Sequence, residues 1–372
     1  MIIPNLTHIE LTKLINQYEF KKIIIFSGKN SFYKSGASKI LDIIDKKKII
    51  KIIFKRQIIP RSNELKNLTK EFKLFKPDLV IAVGGGAVLD YAKILNVLQD
   101  DENLEEKIKS QRVYTNKKNF FLIALPTTAG SGAEVTSNAV IYVGDIKYSI
   151  EGENIKPDNF FLISDLILTN PKKLKSSSGF DAIAQAIESL LSIKSNNESV
   201  KFALESLKIS TKNYLNFINS PNKENSSSML IAANLAGKAI NISKTTAPHA
   251  VSYPFTSLFN ISHGHAVSLT LNEFLSFNLK KINHSKSSFD LMERYKMLFN
   301  VFKVKHINDF NLSLVNLKKS ASLENDFNKL GINLDVNMDR IINGLNEQRL
   351  KNNPINCTKY DIRDILLSKL KK

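Results

Sequence analysis

Six histidines are spread over the chain, and three of them, His249, His263 and His265, fall within 17 residues. Far upstream, Asp181 and Gln185 stand four residues apart in Asp181-Ala-Ile-Ala-Gln185-Ala-Ile-Glu188, a spacing that puts both on one helix face. The alanines and isoleucines around them leave the polar pair either facing something specific or satisfied internally. A carboxylate with imidazoles is a donor set for a divalent cation such as iron or zinc. Taken singly, each histidine reads as a core or surface side chain; taken as a cluster with Asp181, they point to metal binding.

Two other segments suit phosphates. Leu79-Val-Ile-Ala-Val83 runs into Gly84-Gly85-Gly86 and then Ala87-Val-Leu-Asp90-Tyr-Ala-Lys93: a buried strand, three glycines and a helix. Glycine lets the turn tighten and a ligand approach the backbone, and a helix start offers free N–H groups and a positive dipole end. The spacing is neither G-x-G-x-x-G nor a P-loop, so a tight turn without ligand is the alternative. The second segment follows the next strong strand: Pro126-Thr127-Thr128-Ala129-Gly130-Ser131-Gly132-Ala133-Glu134 is rich in hydroxyls and glycine. In open α/β sheets ligands bind at the carboxyl ends of the strands, where both loops fall.

The elements that must position these groups change in texture along the chain. Residues 23–26, 52–54, 79–83, 120–124, 139–143 and 160–163 read as strands, alternating at first with helical stretches such as 38–45 and 87–98. That alternation implies a parallel sheet with helices on both faces. From about Pro171 helical periodicity dominates. Ser195 and Glu198 have capping-box spacing, with Val200, Leu204, Leu207 and Tyr214 following on one face; 229–241 is another helix, and the Asn- and Ser-rich stretch 219–228 a loop. We expect an α/β nucleotide-type domain over 1–170 and an all-helical domain over 171–372.

Composition narrows the class. The 372 residues suggest two or three domains, and 43% hydrophobic and 24% charged residues are ordinary for a globular protein. No run approaches the roughly 18 apolar residues of a membrane helix, so no membrane partner is expected. The N-terminus MIIPNLTHIELTKL does not read as a secretory signal, and a single cysteine, Cys357, excludes a disulfide framework or a cysteine-based zinc cluster. A cytoplasmic location is expected. The net charge of +18 rests on 46 Lys against 7 Arg, in runs scattered like Lys46-Lys47-Lys48. Arginine is the better reader of phosphates and bases, so no nucleic-acid partner is expected; the charge suits an anionic substrate or cofactor.

Four segments resemble one family, the iron-containing (group III) alcohol dehydrogenases: the glycine turn from Gly84 to Lys93, the loop PTTAGSGAEVT from Pro126 to Thr136, the helix from Gly179 to Glu188, and His249 with His263-Gly264 fourteen residues on. The tail Arg349-Leu-Lys-Asn352-Asn353-Pro354 is similar to the family's end. The resemblance spans nearly the whole chain. It implies an N-terminal Rossmann-like α/β domain, an all-α C-terminal domain and a site in the cleft between them, the fold shared with dehydroquinate synthase. It also implies a small aldehyde or alcohol substrate, NAD or NADP, an iron or alternatively zinc ion, and a homodimer. Carried over by position, Asp181, Gln185, His249 and His263 would hold the metal. Gly28, Ser31, Gly84, Gly85, Gly86, Asp90, Thr127, Thr128, Ser131 and Lys147 would line the cofactor, Lys147 from Asp145-Ile146-Lys147-Tyr148.

The departures carry expectations of their own. Gln185 stands where the family has His; an amide oxygen ligates more weakly, so metal binding weakens or His265 substitutes. Tyr253 stands where a second His is common, and its phenol can relay a proton or simply pack. Gly28 stands where many members place an Asp for the adenosine ribose. Without that carboxylate a 2′-phosphate is not repelled, and Lys29, Asn30 and Ser31 can bind it, which tilts the choice toward NADP. Lys244, with Ser243, Thr245 and Thr246 just before His249, forms a cation with three hydroxyls that can bind an anion. That segment resembles the subgroup reducing phosphonoacetaldehyde, which implies a short anionic aldehyde. The rivals are a sugar-phosphate lyase or cyclase of the dehydroquinate synthase type and a metal-depleted, non-catalytic binding protein.

Overall fold

The computed structural model describes residues 8–45, 47–98, 103–110, 117–144 and 146–370. Met1–Thr7, Lys46 of the basic run and Asp145 before Lys147 lie outside the described residues. By contacts the chain divides into two compact units, one of Met1–Asn170 with Asn222–Asn234, the other of Pro171–Pro221 with Leu235–Lys372.

In the first unit the apolar runs form β1 (Lys22–Gly28), β2 (Ile49–Lys55), β3 (Leu79–Gly84), β4 (Phe121–Pro126), β5 (Asn138–Val143), β6 (Ile146–Glu151) and β7 (Asn159–Phe160). Five make a parallel sheet in the order β2-β1-β3-β4-β7, its register setting Ile25 beside Ile52 and Ile81, and Ile81 beside Ile123. Strands β5 and β6 pair as a separate antiparallel hairpin. Alternate residues point to opposite faces. Ile24, Phe26, Val80, Ala82, Leu122 and Ala124 enter one core, and Ile23, Ile25, Leu79, Ile81, Ile123 and Leu125 the other. Both faces are buried, hence the near-continuous apolar runs of β1 and β3.

The second unit is helical throughout its described residues. The Lys172–Leu191 helix is buried from Lys175 to Leu191 except at Ser178, so its polar residues need partners inside the protein. The Asn197–Asn219 helix lies against it, with Tyr214 Oη donating to Ser176 O at 2.6 Å. Val251, Phe255, Phe274, Phe327, Ile341, Ile362 and Leu366 share a third core.

Several expectations are corrected. Helical residues 38–45 are a 3₁₀ segment, Ala37–Ile43, and the strand expected over 160–163 is only Asn159–Phe160. The capping box falls one residue later than expected: Asn196 accepts from Ser199 N, and Ser199 Oγ from Asn196 N. The stretch 219–228 is not a loop, because the Lys223–Ser243 helix begins within it. Asn222 and Asn225 exchange backbone-to-side-chain hydrogen bonds of 2.9 Å, so the asparagines that suggested a loop satisfy the helix start instead. Asn222–Asn234, expected in the helical domain, groups with the α/β unit, where Asn234 Nδ2 donates to Glu134 and Lys223 pairs with Asp165.

Candidate metal centre and nucleotide loops

In the α/β unit, the ends of three adjacent parallel strands bring the phosphate-type residues to one edge: Gly28 ends β1, Gly84 ends β3 and Pro126 ends β4. Thr127 N donates to Gly84 O at 3.0 Å, and the Gly86–Val97 helix leaves at once, its N-cap Gly85 without a side-chain cap. A Cβ on Gly85 would lie 3.3 Å from Thr128, and one on Gly86 3.0 Å from Ser131 Oγ. The two loops are therefore neighbours, and the glycines keep the space between them. Ser31 Oγ donates to Gly28 O at 3.0 Å, and Lys55, opposite Gly28 on β2, lies beside it.

One residue quoted only as part of a motif organises this edge. Lys93 is fully buried, and its ammonium donates to Ala133 O and Thr136 Oγ1 at 2.9 Å each and to Asn138 O. It ties the helix after the glycines to the hydroxyl loop. Asp90 lies one turn earlier. Burial raises its pKa to about 6, opposed by Lys93, the Val140 N–H and Lys147, which places Lys147 in its field.

In the helical unit, Asp181, His249 and His263 each bring a donor atom to within 4.8 Å of the other two. Asp181 Oδ1 is 3.3 Å from His249 Nε2 and 3.9 Å from His263 Nε2. Ligands at about 2.0–2.1 Å in a tetrahedral zinc-type site are separated by about 3.4 Å, so the set needs little adjustment to close on a cation. Gln185 Nε2 donates to Asp181 Oδ2 at 3.1 Å, and its buried Oε1 accepts no hydrogen bond. A buried carbonyl oxygen without a donor, on a side chain tied to the Asp181 carboxylate, fits a metal ion.

Glu188 was missed as a functional residue. It lies one turn past Gln185, 1% exposed, with one oxygen on His249 Nδ1 and the other accepting from Thr246 and the His249 N–H. Its signal was the i, i+4, i+7 series of Asp181, Gln185 and Glu188 on one face. Burial works against a charged His249 ring, but Glu188 and Asp181 outweigh it and hold the pKa at about 10. Two carboxylates on one buried imidazole create a place for positive charge. Tyr253 stacks on His263 with centroids 5.7 Å apart and 27° between planes.

His265 does not substitute for a ligand. Its Nε2 is 2.6 Å from Glu324 O, its backbone N–H donates to Ser177 Oγ, and burial lowers its pKa. Gly264 explains the arrangement: a Cβ there would stand 2.0 Å from Ser177 O and 2.7 Å from Asp181 Cβ, so only glycine lets this turn touch the Asp181 helix. The expected group of three hydroxyls around Lys244 is also corrected. Ser243 Oγ donates to Ser189 Oγ at 2.7 Å and Thr246 Oγ1 to Glu188, so these two are committed inside the protein. Lys244 itself has φ 61, the left-handed turn that ends its helix. Asn352 of the tail motif donates to Thr245 O, holding that turn.

A parallel α/β unit with glycine and hydroxyl loops at its carboxyl edge, followed by a helical unit with an Asp–His–His set of which Asp181 and His249 are buried, has the arrangement of a nucleotide- and metal-type protein. The comparisons make the class specific. A profile described as iron-containing alcohol dehydrogenase matches residues 3–164, and one for the C-terminal part of that family matches residues 175–370. The chain belongs to the iron-containing alcohol dehydrogenase family. It is 28% identical over 223 residues, 57% of this chain and 56% of the relative, to a phosphonoacetaldehyde reductase of Streptomyces viridochromogenes. It is 31% identical over 212 residues to an NADPH-dependent butanol dehydrogenase of Clostridium saccharobutylicum, covering 55% of this chain and 54% of the relative. These matches thus span a little over half the curated relatives' length. A crystal structure of sulfoacetaldehyde reductase from Bifidobacterium kashiwanohense in complex with NAD+ shares the fold, with a TM-score of 0.86 at 22% identity over 97% of this chain and 94% of that one. Among the described residues no helix is long and apolar enough to cross a membrane.

Proposed function

We propose that this chain is a metal-assisted, NAD(P)-dependent alcohol dehydrogenase that interconverts a small aldehyde and its primary alcohol. The observation that carries the reading is the set of Asp181, His249 and His263, with Gln185 hydrogen-bonded to Asp181 and its buried carbonyl undonated. These four residues would hold the ion, iron or alternatively zinc, which when bound supplies Lewis acidity toward the carbonyl oxygen. Asp181 and the two imidazoles fix its position. Gly84, Gly85, Gly86, Thr127, Thr128 and Ser131 bind the cofactor's pyrophosphate and ribose, with Asp90 and Lys147 in the same unit. Gly28, with Ser31 and Lys55 beside it and no carboxylate at that point, supports use of NADPH, as does the NADPH-dependent relative. Tyr253, stacked on His263, donates the proton that the product oxygen requires; His265, turned to Glu324, does not. The test is nucleotide oxidation over an aldehyde panel with NADH and NADPH, in protein replenished with iron or with zinc. Turnover with at least one aldehyde, with NADPH accepted, is expected. No nucleotide oxidation with any aldehyde would overturn the reading.

A short anionic aldehyde is the proposed substrate class. The phosphonoacetaldehyde reductase relative supports it, with Lys244 as the cation five residues before His249. Lys244→Ala should lower kcat/KM for phosphonoacetaldehyde by about ten- to a hundredfold, roughly 1.5–3 kcal/mol, and leave propanal nearly unchanged. Equal effects on both substrates would count against the anion contact. We further propose a cytoplasmic homodimer without nucleic-acid or membrane partners, and a domain boundary near residue 170.

A further inference from the structure

The start of the Ala247–Phe259 helix has no side-chain cap of its own. Two backbone N–H groups at this start are met from another helix, by Glu188. One Glu188 oxygen accepts from Thr246 N and Thr246 Oγ1 at 2.9 Å each and from His249 N at 3.3 Å, and the other contacts His249 Nδ1. The same carboxylate therefore fixes the helix that carries a donor and the ring that is the donor. With Nδ1 turned to Glu188, Nε2 is the atom left facing Asp181, 3.3 Å away.

We propose that Glu188 is the positioning residue of the metal centre, anchoring the His249 helix to the Asp181 helix and holding the Nδ1 proton, so that Nε2 is the nitrogen that gives up its proton to a cation. This rests on the metal reading above. A carboxylate only accepts hydrogen bonds, so it keeps the ring proton on Nδ1. Glutamine in its place retains an oxygen for Thr246 and the His249 N–H, but turns an amide N–H₂ toward Nδ1. Nδ1 must then accept, and the ring proton moves to Nε2, where it blocks the lone pair that a cation needs.

The experiment titrates chelator-stripped wild type, Glu188→Gln, Glu188→Ala and Asp181→Ala with Co²⁺, followed by its visible absorption and by chelator competition, alongside thermal melts of the metal-free proteins. For Glu188→Gln we expect Co²⁺ affinity about 10–100-fold below wild type with Tm within a few degrees of it. Glu188→Ala should lose both affinity and stability. A purely structural role predicts a folded Glu188→Gln that binds Co²⁺ as wild type does, and that result would overturn the proposal. Wild type that takes up no Co²⁺ would overturn the metal reading, and this assignment with it. Wild type that binds while Asp181→Ala does not, with Glu188→Gln unaffected, would overturn this assignment alone.

Discussion

Buried charge is the currency of both candidate regions, and at the scale of single residues it was only half legible. Asp181, His249 and His263 can be picked out because carboxylates and histidines are scarce among alanines and isoleucines. Their directions cannot: His249 reaches Glu188 across 61 positions, and His265 turns to Glu324 across 59, through contacts no local spacing encodes. Lys93 was hidden for the same reason, one lysine among 46 until its three acceptors are seen. Asp90 gives a prediction at this scale. Its folded pKa of about 6 stands above the unfolded 3.8, because burial opposes the anion. Between these values the native state binds more protons than the unfolded one, so Asp90's contribution is fullest below pH 3.8 and is lost as pH rises through about 6. The cost at neutral pH is about 3 kcal/mol. Asp90→Asn keeps an acceptor for the Val140 N–H, and should flatten this component of a urea-denaturation series run from pH 4 to 7. An unchanged slope would show that the carboxyl is not buried as described.

Elements were more legible than their ends. Alternation gave the sheet strands because each face of β1, β3 and β4 meets a core, and a buried parallel strand leaves an uninterrupted apolar signature. Boundaries moved where side chains satisfied backbone groups unexpectedly, as at Asn196 with Ser199 and at Asn222 with Asn225. The close approach of the His263 turn to the Asp181 helix was invisible, since glycine announces freedom but not the neighbour that demands it. Gly264→Ala therefore tests the element packing. Its methyl would overlap Ser177 O, so the turn must retreat and carry His263 with it. We expect a loss of about 1–3 kcal/mol in thermal or urea denaturation, with Co²⁺ affinity falling as well. Wild-type stability and affinity together would show that the turn has room to spare.

For the whole molecule, the net charge of +18 sets the field in which any anionic partner arrives. The proposed cofactors are anions, NADPH carrying more charge than NADH. Exposed charges are screened beyond about 10 Å at 0.1 M salt and about 3 Å at 1 M. The KM for NADPH should therefore climb several-fold between 0.05 and 0.5 M salt, and more steeply than that for NADH. Parallel dependence for the two cofactors would confine the effect to general screening rather than the 2′-phosphate.

Cys357, the only thiol, has a further consequence. It is buried, and burial with Asp361 nearby pushes its pKa up to about 12, so at neutral pH it stays protonated and nearly inert. In the folded protein, peroxide therefore finds no thiolate to oxidise at this position. Activity lost by the folded protein on storage in air would therefore not be recovered by a thiol reductant.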